Sequence, residues 1–71
     1  MPEMTPVESE AIAAIGYNAP DRTLHVHFRN GGKYKYFDVS PHKHKALMAT
    51  KSHGKHFMQH IRHSHHFERY E

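Results

Sequence analysis

The sequence predicts an α+β domain: a three-stranded antiparallel β-meander followed by two short helices packed on one of its faces. Three observations carry that expectation. Thr23-Leu24-His25-Val26-His27-Phe28 alternates apolar and polar side chains, which is the period of a half-buried strand. Asn30-Gly31 separates that run from a second strand-like run, and this dipeptide is a strong short-range hairpin signal. Ser40-Pro41 then opens a stretch with helical character, since serine caps free N–H groups and proline is tolerated at the first helical position.

Taken in order, residues 1–6 hold two prolines without periodicity and read as a disordered lead-in, leaving residues 7–71 as the domain. Ala11 to Tyr17 suits a buried strand or a short helix on apolarity alone. The turn chemistry of Asn18-Ala19-Pro20-Asp21 and the alternating run after it favour a hairpin. Leu24, Val26 and Phe28 then face the core, and His25, His27 and Arg29 project from the opposite face. A type I′ turn at Asn30-Gly31 leads into Lys33-Tyr34-Lys35-Tyr36-Phe37-Asp38-Val39, with Phe37 and Val39 expected in the core and the face of Tyr34 and Tyr36 left open. The first helix is expected to run from Pro41 to about Thr50, with Leu47, Met48 and Ala46 as a weak apolar stripe. Ser52-His53-Gly54 interrupts it. A second helix over roughly Lys55 to His63 places Phe57 and Ile61 on one face. The tail from Ser64, carrying Phe67 and Tyr70, is read as an extended segment that packs back.

Length and composition narrow the class further. With 71 residues and no cysteine, the chain supports one small core without disulfides or a thiolate metal site. Self-association into a homo-oligomer is one way to stabilise such a chain. The N-terminus lacks the basic and apolar regions of a signal peptide, and no segment is long and apolar enough to span a membrane, so a soluble cytoplasmic protein with no membrane partner is expected. The net charge of +3 hides an asymmetry: residues 1–21 hold four acids and no Lys or Arg, whereas all ten Lys and Arg fall in residues 22–71 against three acids. A concentrated positive region favours polyanions or an acidic protein surface. Ordinary solubility charge is the alternative.

Several blocks recur in a recognisable order: Ile12-x-x-Ile15-Gly16-Tyr17, Arg22-Thr23-Leu24-x-Val26-x-Phe28, Gly31-Gly32-x-Tyr34-x-Tyr36-Phe37-x-Val39, Ala46-Leu47-Met48-Ala49, and Ser52-x-Gly54-x-x-Phe57-x-x-x-Ile61-Arg62. Together they resemble the KTSC domain, which occurs at the C-terminus of some lysyl-tRNA synthetases and also as a stand-alone chain of about this length. The resemblance covers roughly residues 7–70. It implies the fold and a central Tyr-x-Tyr, here Tyr34 and Tyr36, with RNA binding as the associated expectation. Lys43 and His44 stand where the family commonly has an apolar residue and an aromatic, and His56 where an aromatic often precedes Phe57.

The candidate ligand-binding set is Arg29, Lys33, Tyr34, Lys35, Tyr36, His53, Lys55, His60 and Arg62. Single-stranded nucleic acid needs cations along its backbone and flat rings on which bases stack; a sheet face carrying both tyrosines beside the lysines would supply them. A Tyr-x-Tyr strand also serves as a half-buried packing pair. Gly54 at an inter-helix turn exposes N–H groups to which phosphate is drawn, with Lys55 and His53 adding charge, although a plain helix-breaking turn explains the same residues. Ten histidines are spread through the chain. His56 and His60 have the i, i+4 spacing of two metal ligands, but the resemblance implies that several of the ten stand where the family often has Arg, Lys or aromatics, so no metal and no cofactor are assigned. No cysteine is present and the serines fall in turn or cap contexts, so a catalytic site is not expected. The expected function is a non-catalytic module for phosphate-bearing ligands, with single-stranded RNA first. The alternatives are a homo-oligomer holding a phosphorylated nucleotide between subunits, and a module docking an acidic protein.

Overall fold

The computed structural model describes residues 2–71, and its elements are β1 (Thr5–Pro6), β2 (Ile12–Asn18), β3 (Thr23–Phe28), β4 (Lys33–Tyr36), α1 (Pro41–Ala49), α2 (His53–His60) and β5 (Phe67–Arg69). The strands form one antiparallel sheet in chain order, β1-β2-β3-β4-β5. The expected three-strand meander is its centre. It gains an edge strand on either side, both too short to show a period of their own. The lead-in is therefore not free chain throughout: Thr5 pairs with Ile15 and Pro6 with Ala14, while Met1 lies outside the described residues.

Strand β2 explains why its sequence fits two patterns. Ile12 and Ile15 are both buried although their spacing is helical, because the register shifts between Ile12 and Ala14. A bulge there inserts one residue and returns both isoleucines to the same face. In β3, Leu24 and Val26 are fully buried and Phe28 packs at the core margin. The β3–β4 turn departs from type I′, since Gly31 has φ 99° but Asn30 does not have a positive φ. Phe28 N–H bonds to the Gly32 carbonyl instead, at 2.8 Å, and Gly31 N–H bonds to the Phe28 carbonyl at 3.0 Å. One residue more than a two-residue hairpin is spent, and only glycine is asked to adopt the left-handed conformation.

Strand β4 settles the tyrosines. Leu24 pairs with Tyr36 and Val26 with Tyr34, and directly opposed residues share a sheet face, so both tyrosines point to the side covered by the helices. Tyr36 is 3% exposed. Phe37, expected in the core, is only half-buried and lies against His66. Asp38 adopts φ 58°, which breaks the alternation after Tyr36 and turns Val39 inward, where it is fully buried.

Ser40 caps α1 by accepting a hydrogen bond from Lys43 N–H, with Pro41 in the first turn. Leu47 is the buried residue of this helix. Helix α2 begins two residues before the expected Lys55 and ends three before His63. Phe57 and Ile61 are nevertheless both buried as their spacing requires. No helix is long and apolar enough to cross a membrane among the described residues.

Candidate functional site

The rings between sheet and α2 form a continuous cluster. Phe57 meets Tyr36 edge-on at 4.9 Å and Phe28 at 5.8 Å between centroids. Tyr34 lies edge-on to Phe28 at 5.4 Å. From β5, Phe67 stacks on Tyr36 at 5.5 Å and tilts toward Tyr34 at 5.9 Å. These rings floor an open groove of about 780 Å³. Its rim carries Lys51, Lys55 and Arg62, together with His53 and the acids Glu8 and Glu10. Two large apolar side chains in the groove are exposed, Phe67 by 51% and Met58 by 43%. The Arg69 guanidinium lies 5.6 Å from the Tyr34 ring, a cation–π distance. Burial pushes the Tyr36 hydroxyl above its usual pKa while Arg62 acts in the opposite sense, so the phenol stays neutral at the groove floor. Ser52 precedes α2 without a side-chain cap, which leaves N–H groups of its first turn unanswered by that side chain. The Nδ1 atom of His53 is buried with no hydrogen-bond partner.

The opposite sheet face has different chemistry. His25 pairs with Lys35 and His27 with Lys33, so the two lysines stand beside histidines and away from the tyrosines. Tyr70 reaches across this face: its hydroxyl is 3.0 Å from His27 Nε2 and 3.5 Å from His25 Nδ1. Lys35 Nζ lies 5.2 Å from the Tyr70 ring, and Lys33 pairs with Glu71 at 2.8 Å. Desolvation, then the nearby lysine, holds each of these imidazoles below its ordinary pKa.

Comparison with known proteins places this geometry. The KTSC domain model matches residues 8–67. The chain belongs to the KTSC domain family. A protein from Tsukamurella paurometabola is 40% identical over 52 residues, which is 73% of this chain and 78% of that one. The crystal structure of a KTSC domain protein from Yersinia pestis is similar over 100% of both chains, with a TM-score of 0.96 at 30% identity. In this KTSC domain the His44 imidazole packs as an aromatic ring, stacking on Tyr17 at 4.5 Å and 11°.

The KTSC fold divides the residues singled out from the sequence. Tyr34, Tyr36, His53, Lys55 and Arg62 come together in the groove. Lys33 and Lys35 do not join them, because adjacent strand residues alternate between faces, and the expected surface of tyrosines beside lysines is corrected accordingly. Arg29 is engaged elsewhere: its guanidinium donates to the carbonyls of Ser9 and Val7, tying the β1–β2 segment to the hairpin. His60 lies against His56 by a separate hollow. Phe67, Lys51, Glu8 and Glu10 were missed. The one available signal was the Phe67-x-Arg69 alternation in the tail, which matches Tyr34-x-Tyr36 once the two strands pair.

Proposed function

We propose that the groove is a non-catalytic binding site for a ligand that couples a planar base to phosphate, single-stranded RNA first. The observation that carries this reading is the half-exposed Phe67 ring beside Tyr34, with Lys51, Lys55 and Arg62 on the same rim. A base stacked on Phe67 and Tyr34 leaves its phosphate within the field of those cations and of the open first turn of α2. Tyr36 supports the stack from beneath and is too buried to stack on a base itself. Glu8 and Glu10 accept hydrogen bonds from exocyclic amines of the base.

A single phosphorylated nucleotide is a second reading, favoured by two features. The groove volume of about 780 Å³ falls in the range of small-molecule sites, and two acids on its rim oppose a long polyanion more than a compact ligand.

Fluorescence anisotropy with a labelled oligoribonucleotide and with a labelled nucleotide tests both. Binding of the oligomer is expected to weaken steeply with salt, and Phe67→Ala is expected to lower affinity by about tenfold. Lys33→Ala with Lys35→Ala should change affinity far less. Absence of binding by either probe at low salt, or affinity indifferent to Phe67→Ala, would overturn the proposal.

A further inference from the structure

The hollow between α1 and α2 lies apart from the groove. It is a hollow of about 470 Å³ open to solvent, lined by His56, Gln59 and His60 of α2, with His42 and Lys43 from α1 and Ser64 beyond the second helix. We propose that His56 and His60 chelate one first-row transition-metal cation of the zinc class at this place.

Residues four apart stand one above the other on a helix face, and this is the spacing by which two histidines of one helix hold a single zinc ion. Here the spacing is realised: the two rings lie 4.4 Å apart between centroids, inclined at 40°. Five other imidazoles of the fold are engaged elsewhere. His25 and His27 share the Tyr70 hydroxyl, and His65 sits between the Lys43 ammonium and the Phe37 carbonyl. His44 and His66 lie against Tyr17 and Phe37. Among the described residues, neither ring of the His56–His60 pair has a hydrogen-bond partner. Their ring nitrogens are therefore available as ligands.

The lining also selects the kind of ion. Calcium and magnesium require oxygen donors, chiefly carboxylates, and no acid lines the hollow. Imidazole nitrogen suits zinc, copper and nickel; among the described residues no third His, Cys, Asp or Glu is grouped with the pair to hold a metal, so water completes the coordination. Lys43 is the one opposing charge in the lining, and its ammonium is held 2.9 Å from His65 Nε2.

Calorimetric titration of the intact protein with zinc chloride tests the site, with native mass spectrometry for stoichiometry. One zinc ion per chain is expected. Losing even an outer partner of a metal ligand costs about tenfold in affinity or more, so His60→Ala is expected to weaken binding by at least about that factor. His60 is exposed, and an unchanged metal-free melting temperature would show that this variant keeps its fold. His63→Ala removes an exposed histidine outside the hollow and should leave affinity unchanged. No saturable uptake, undiminished uptake by His60→Ala, or equal weakening by His63→Ala would overturn the proposal.

Discussion

Tyr70 stands one residue from the end of the sequence, yet its hydroxyl joins two histidines of the central strand β3. Tyr70→Phe keeps the ring that lies beside Lys35 and removes only the polar contact. The expected cost is about 1 kcal/mol, the net worth of one intramolecular hydrogen bond, read as a lower urea midpoint at unchanged slope. The same scale shows why one core assignment had to be exchanged for another. Apolarity makes Phe37 a better core residue than Tyr36, but the pairing of Tyr36 with Leu24 and the positive φ of Asp38 decide which ring is covered. A tyrosine is acceptable there because only its tip needs a polar surrounding.

Among the elements, α1 depends most on its ends. Each helix buries one side chain, Leu47 in α1 and the larger Phe57 in α2, and because Phe57 is embedded among other rings packing contributes less to holding α1. The Ser40 cap then matters more than usual. Ser40→Ala is expected to destabilise the protein by about 1 kcal/mol, and hydrogen exchange should quicken first at the amides of the first turn of α1. Exchange rising equally in β3 would contradict this assignment of the cap. The 65–66 segment braces the helix from outside. Lys43 Nζ donates to His65 Nε2, so the proton of that ring sits on Nδ1 and is donated to the Phe37 carbonyl at 3.0 Å.

Across the whole molecule four histidines act together in one direction. His25, His27, His44 and His56 are each held below the ordinary value of 6.5, with desolvation the first cause in every case. The unfolded chain therefore takes up protons before the folded one as the pH falls. Stability from these groups is fully present above 6.5, declines as pH drops from there through the lower folded-state values, and levels off beneath them. Melting temperatures measured between pH 7.5 and 5 should fall over that window, and a flat profile would contradict the burial of these rings. A chain of this size has little stability in reserve, which makes the slope measurable.

Much of the architecture was legible from local signals. The alternation of β3, the Ser40-Pro41 start of α1 and the Phe57–Ile61 spacing each reflect a period or cap that a few neighbouring residues set by themselves, and the ordered blocks carried the family. The two edge strands were not legible, since two or three residues have no period and are strands only because a neighbour offers unpaired N–H and C=O groups. The groove was half legible. Tyr34, Tyr36, His53, Lys55 and Arg62 could be named from their types, but which side of the sheet they share is a matter of register, and a shift of one residue exchanges every side chain between faces. Tertiary pairing alone brought Phe67 to the tyrosines and sent Lys33 and Lys35 to the histidines. Residue chemistry is local, whereas the company a side chain keeps depends on contacts between residues far apart in the chain.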